Sequence, residues 1–156
     1  MWMVRAGKAS SLMTDFLQQQ CIAVGFQRLT DLTPITDEQS LKSLYDHHYP
    51  EGLKNHNKKA VLRKFRLEMA PGDAVLSYDA ASRRYLSGTI TSDYQFSENL
   101  LQADGYNHIR TVNWQYQVNR DDLSKAARNS LSSTLTVFVV KPEVREELDG
   151  LKVSIA

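Results

Sequence analysis

The residues whose types and spacing bear most directly on chemistry are Arg5, Ala6 and Gly7. They follow the apolar run Trp2 to Val4 and precede an amphipathic stretch and a second apolar run, Cys21 to Phe26. That order reads as strand, glycine turn, helix, strand. Gly7 admits the backbone angles of a tight turn, Ser10 or Ser11 can cap the helix, and a helix N-terminus carries partial positive charge. The turn therefore gathers an arginine and backbone N–H groups suited to a small polar or anionic group. A plain strand-to-helix connection has the same pattern, because the glycine spacing of a nucleotide loop is missing.

Other reactive constellations are sparse. A metal-dependent nuclease needs carboxylates and a lysine converging on a cation, and neither Asp73 nor Asp93, which flank strands, begins an Asp-x-Lys spacing. His47 and His48 beside Asp46 point about 100° apart on a helix, which is poor geometry for a shared metal. No Gly-x-Ser-x-Gly elbow or phosphate-binding Walker loop occurs. The chain thus reads as a binder and not an enzyme, with no catalytic residues, no metal ligands and no cofactor. The single cysteine, Cys21, heads an apolar run and reads as a small buried hydrophobe.

Charge is uneven along the chain. The net charge is only +1, yet Lys54 to Arg66 holds six basic residues and no acid. On a helix, Lys59, Arg63 and Arg66 share one face while Val61, Leu62, Phe65 and Met69 lie roughly opposite. An outward basic face of this kind suits a polyanion, and an ordinary solvated face has the same signature.

The elements that must position these residues follow from periodicity. A first helix from about Ser11 to Gln19 directs Leu12 and Phe16, with Met13 and Leu17, toward a core, and a strand runs from Ile22 to Gly25. A loop from Phe26 to Thr36 leads to a capping box, Thr36 with Gln39, and a helix to His48 carrying Leu41, Leu44 and Tyr45. After the basic helix, Pro71 to Asp73 turns into a strand from Ala74 to Tyr78. A hairpin through Asp79 to Ser82 then leads to a long partner strand from Arg83 to about Phe96, in which Gly88 marks a bend or bulge. Polar residues Ser97 to Asn107 interrupt the order before the clearest alternation, with Val112, Trp114, Tyr116 and Val118 on one side of a strand. Asn119 with Asp121 and Asp122 starts a short helix packing through Leu123, Ala126, Ala127 and Leu131. Leu135 to Val140 forms a last strand, and Pro142 opens an acidic helix from Glu143 to Asp149.

WMVRAG, IAVGFQRLTDL, PGDAVLSY, YLSGTITSDYQF, HIRTVNW and SSTLTVF, in that order, give the chain a resemblance to the EVE-like domains of the PUA superfamily. More closely, it resembles the amino-terminal domain of modification-dependent restriction endonucleases. The resemblance covers roughly residues 2–140. It implies an α+β fold, a small, mostly antiparallel β-barrel with helices packed around it, over residues 1–140, followed by a terminal helix and linker over 141–156. It also implies a specificity domain in a restriction or phage-defence protein, one that recognises a modified base flipped out of double-stranded DNA. RNA binding by a PUA-like module is the alternative, and a nucleotide-acting enzyme a third reading. A covalently fused nuclease or motor domain is the implied partner.

A base-reading pocket needs aromatic faces for stacking and a few fixed polar groups for the base edge. By resemblance the pocket comprises Arg5, Ala6, Gly7, Gly25, Phe26, Tyr94 and Trp114, with Trp2 held to it more loosely; Trp2 and Phe26 also read as core. The expected contacts to the nucleic-acid backbone are Lys58, Lys59, Arg63, Arg66 and Arg110. Phe26 stands where related sequences carry a tryptophan, which leaves open which modified cytosine or adenine fits.

The chain has 156 residues, 42% hydrophobic and 24% charged, which suits one globular domain with a real core. No apolar run approaches the roughly 20 residues needed to span a bilayer. No secretory leader is recognisable, so the expected compartment is the cytoplasm, with no membrane partner.

Overall fold

The computed structural model of the protein describes residues 1–155. Strand β1 (Trp2–Val4) leads through the Gly7 turn to α1 (Met13–Gln18) and β2 (Cys21–Val24). Two helices follow, α2 (Glu38–His48) and α3 (His56–Arg63), the latter widening into a π-helical turn over Lys64–Glu68. The hairpin β3 (Ala74–Asp79) and β4 (Arg84–Ile90), the short β5 (Gln95–Phe96) and the long β6 (His108–Asn119) come next. The chain closes with α4 (Lys125–Leu131), β7 (Val137–Val139), α5 (Pro142–Leu151) and β8 (Val153–Ser154).

The strands form one mixed sheet in the order β2-β6-β4-β3-β1-β7, with β5 and β8 also paired to β6. Among the described residues only β1 and β3 run parallel. The fold is therefore α+β with a mostly antiparallel, curled sheet, and of the expected small barrel it forms a half: among the described residues β2 and β7 end the path without pairing, which leaves an open seam. The curl has a local cause. The β4–β6 register shifts between Ser87 and Gly88, and a Cβ on Gly88 would lie 2.3 Å from the Asn113 carbonyl oxygen. Gly88 thus permits the close backbone approach that the bulge requires.

Alternation along the strands sends successive residues to opposite faces. Val4, Val75 and Leu86 join α1, α2 and α3 in one buried cluster, while Met3, Leu76 and Tyr85 join Leu123, Leu131, Val144 and Leu148 in the other. Helices accordingly cover both faces, and α5 packs through Val144 and Leu148 into the second cluster.

Several local expectations are corrected. Asp37, not Thr36, caps α2, accepting from the Ser40 amide at 2.8 Å. Neither Ser10 nor Ser11 caps α1; the Ser10 hydroxyl instead donates to Tyr78 O and accepts from the Ala80 amide, pinning the turn to the β3–β4 hairpin. Leu17 and Ala126 face solvent, because each lies off the buried stripe of its helix. The strand expected from Arg83 to Phe96 divides into β4 and β5, since the chain leaves the ladder at Thr91–Tyr94 and Ser92 O turns toward Arg110.

Arg110 is corrected most fully. It is 2% exposed, and its guanidinium donates to Phe65 O (2.9 Å), Arg66 O (3.2 Å) and Ser92 O (3.3 Å). The π turn and its end leave these helix carbonyls without intrahelical partners, and Arg110 supplies donors. Burial, then the nearby Arg66 charge, lower its pKa. Arg110→Met is expected to lower the unfolding free energy by about 3 kcal/mol, because buried carbonyls lose their donors. Urea denaturation measures this; unchanged stability with weakened nucleic-acid binding would return Arg110 to a contact role.

Candidate functional site

The open seam holds a cleft of about 630 Å³. Ala23 and Val24 of β2 with Gly25 and Phe26 form one side, Arg5, Gly7 and Thr134–Thr136 the other, and Tyr45, Tyr49, Asn55 and Lys58 of the α2–α3 pair close it. Tyr106 reaches in from the loop between β5 and β6. A strand path that closed on itself would fill this space, so the cleft exists because β2 and β7 do not pair.

Its wall is aromatic. Tyr45 of α2 and Tyr49 at its C-terminal cap stack with ring centres 4.9 Å apart, and Phe26 meets both edge-on at 6.3 and 6.4 Å. The Arg28 guanidinium covers Tyr49 at 4.8 Å and pairs with Glu51. Phe26 and Tyr106 are the half-buried rings left for a ligand, and Tyr106 lies over Gly25, whose Cβ position is 4.0 Å from the ring.

Phe26 is held in the left-handed region, φ +62°, a conformation that bulky side chains rarely adopt. A buried relay maintains it. The Leu32 amide donates to the Tyr94 hydroxyl (3.1 Å), which hydrogen-bonds His108 Nδ1 (2.6 Å), while His108 Nε2 reaches Phe26 O at 3.2 Å. With Leu32 as donor to Tyr94, the consistent arrangement is a neutral imidazole accepting at Nδ1 and donating at Nε2. Burial lowers the His108 pKa, favouring that neutral form, and raises that of Tyr94 to about 12. The loop bearing Tyr106 is fixed by Asp15 of α1, which accepts from the amides of Gln102 (3.2 Å) and Ala103 (3.4 Å).

The cleft lining includes Arg5, Lys8 and Lys58 and no carboxylate among the described residues. Arg5 donates one Nη1 bond to Thr134 O at 2.8 Å. Asn55 Oδ1 caps α3 by accepting from the Lys58 amide, which leaves its NH2 free to donate. The arrangement suits a planar ligand with negative charge.

The structure brings Arg5, Gly7, Gly25, Phe26 and Lys58 together in the cleft and places the other expected residues elsewhere. Ala6 lies just behind it, 2% exposed. Trp2 Nε1 donates to Asp73 (3.0 Å), and Trp114, 9% exposed, donates through Nε1 to Phe16 O (3.0 Å). Tyr94 belongs to the relay behind Phe26. The expected basic face is corrected too. Lys59 pairs with Asp46 (2.7 Å), Arg63 with Glu68 (3.1 Å) and Glu38 (3.5 Å), and Arg66 donates to Leu32 O and Thr33 O while covering Tyr94. Those cations are engaged with their own chain, because α2 and the loop that precedes it pack against that face.

Tyr45, Tyr49 and Tyr106 are cleft residues that the sequence reading missed. The Tyr45–Tyr49 spacing of four on a helix and the Gly105-Tyr106 pair in an otherwise polar interruption were the available signals. Cys21 is buried and inert, its thiol pushed up to about 12 by burial. Among the described residues no group of three or more His, Cys, Asp or Glu is placed to hold a metal, and no helix is long and apolar enough to cross a membrane.

A family model described as a domain of unknown function (DUF8426) matches residues 2–141, and the chain belongs to that family. Comparison with curated proteins and with solved structures gives no match.

The relay sets a pH dependence. Since folding depresses the His108 pKa, the folded protein resists protonation that the unfolded chain accepts, so stability is full above about pH 6.5 and is lost as pH falls toward the lowered value. His108→Gln is expected to destabilise the protein by about 1–3 kcal/mol at pH 7.5 and to flatten the stability profile between about pH 5 and 7. Thermal melts of both proteins across that range check this; parallel profiles would remove His108 as the source.

Proposed function

We propose that this DUF8426 protein is a nucleic-acid-binding module that takes one modified base, flipped out of duplex DNA, into the cleft at the β2/β7 seam. We read it as the specificity domain of a restriction or phage-defence protein, with a fold of the PUA/EVE-like kind. The observation that carries this reading is the make-up of the cleft: aromatic rings, amide groups and cations without an acid.

Each part has a physical role. A volume of about 630 Å³ is in the range of small-molecule sites and accommodates a nucleotide. Phe26 and Tyr106 supply stacking faces, a sequence-tolerant source of affinity. Asn55 and Asn57 line the same space and present amide donors and acceptors to the edge of a base. Arg5, Lys8 and Lys58 attract phosphate, and the lack of carboxylates removes the repulsion that would oppose it. The tether from His108 to Phe26 O preorganises one wall, which lowers the ordering cost on binding.

Titration of matched duplexes with and without a modified base, alongside single-stranded RNA, tests the reading. The wild type is expected to prefer a modified duplex. Tyr106→Leu should reduce that preference roughly five- to 150-fold while leaving weak non-specific binding, because stacking contributes about 1–3 kcal/mol per base. A folded Tyr106→Leu protein with full discrimination contradicts the assignment of the cleft, and tight RNA binding without a preference for modified DNA contradicts the DNA reading. Lys58→Gln is expected to weaken all duplexes about equally and to reduce the salt slope by about one. Filter binding over a salt series measures it; an unchanged slope places the phosphates elsewhere.

A further inference from the structure

A second cleft of about 440 Å³ lies on the far side of Arg5. Arg5, Gly7 and Thr134 line both spaces, and the Arg5 bond to Thr134 O forms the partition between them. The second cleft is also lined by Arg83 and Arg120, by Ser133 and by the Tyr78–Tyr85 pair, whose rings lie 4.8 Å apart. No carboxylate lines it among the described residues.

Its cations are unequal. Arg83 is paired with Asp121, outside the lining. Arg120 has no carboxylate within salt-bridge distance among the described residues. Arg5 spends one of its five N–H donors on Thr134 O. Two guanidinium groups with spare donors therefore face a space edged by hydroxyls, and such forks match the oxygen geometry of a phosphate.

We infer that the second cleft binds a phosphate group, the phosphodiester adjoining a base held in the first cleft. The adjoining base rests on the proposed function; phosphate binding does not. A strand would then cross the Arg5 partition, its base on one side and its backbone on the other.

The test is an amide-shift titration of the isotope-labelled full chain with two probes. One is inorganic phosphate and the other a thymidine dinucleoside monophosphate, which carries one phosphodiester and no terminal phosphate. Both are expected to give saturable shifts at Arg120, Ser132 and Ser133. Arg120→Gln should weaken phosphate binding about tenfold or more, with Arg120→Lys retaining most of it, because charge-assisted hydrogen bonds are the strong ones. Ser133→Asp keeps an acceptor for the Leu135 amide while adding a negative charge, and should abolish saturation even if Arg120→Gln fails to fold. Shifts that do not saturate, or that survive undiminished in folded Arg120→Gln or Ser133→Asp, overturn the site. Saturation by phosphate with exclusion of the dinucleotide overturns the assignment to a strand. Inorganic phosphate needs no base, so failure of base recognition leaves its result unchanged and the two ideas are separable.

Discussion

The rest of the structure depends on the inner row of β6, where polar side chains at alternate positions each donate to the carbonyl of a different element. His108 reaches Phe26 O after β2, Arg110 reaches Phe65 O and Arg66 O of the π turn, and Trp114 reaches Phe16 O of α1. Helix ends and turns leave such carbonyls without partners, and a buried carbonyl left so costs about 1–3 kcal/mol. One strand thereby satisfies the ends of α1 and α3 and the loop after β2. Because β6 also pairs with β2, β4, β5 and β8, any movement of it is shared by the whole sheet.

The cleft is a consequence of what this sheet does not do. Curling through the Gly88 bulge brings β2 and β7 toward one another without pairing, and the space between them is floored by β2 and flanked by the Arg5 turn. Its aromatic wall is positioned from behind. Tyr94 and His108 hold Phe26 in a strained backbone conformation, and Asp15 holds the loop that carries Tyr106. Strain of this kind persists only where the surroundings over-determine it, and the hydrogen-bonded relay supplies that constraint.

Much of the fold was legible in the sequence because it rests on local periodicity. The alternation from Val112 to Val118 identified β6 as a strand, and Gly88 announced the bulge, but that bulge splits the expected single face: Val112 and Trp114 join the first cluster and Val118 the second. The apolar stripe Val61, Leu62, Phe65 and Met69 is buried as its spacing requires. What periodicity does not encode is the partner. Trp114 bonds a carbonyl 98 residues away and Arg110 one 45 residues away, so a ring and a cation on an ordered strand look the same whether they face a ligand or a helix end. Lys59, Arg63 and Arg66 form a basic face on the helix, and only the packing of α2 against α3 brings Asp46 and Glu38 to it. For the same reason the sequence motif around Trp114 marked a position of consequence but not its role. The spacing of Tyr45 and Tyr49 and the Gly105-Tyr106 pair were local signals, but only tertiary packing brings these rings to one cleft.

Photo-crosslinking tests the central claim most directly. A duplex carrying one iodouracil in place of the modified base, irradiated in complex with the full chain, reports which side chain touches an extruded base. Covalent attachment at Tyr106 or Phe26, or at Tyr49 beside them, is the predicted result. Attachment at Tyr94 or Trp114, or at residues outside the β2/β7 seam, would contradict the placement of the base in this cleft.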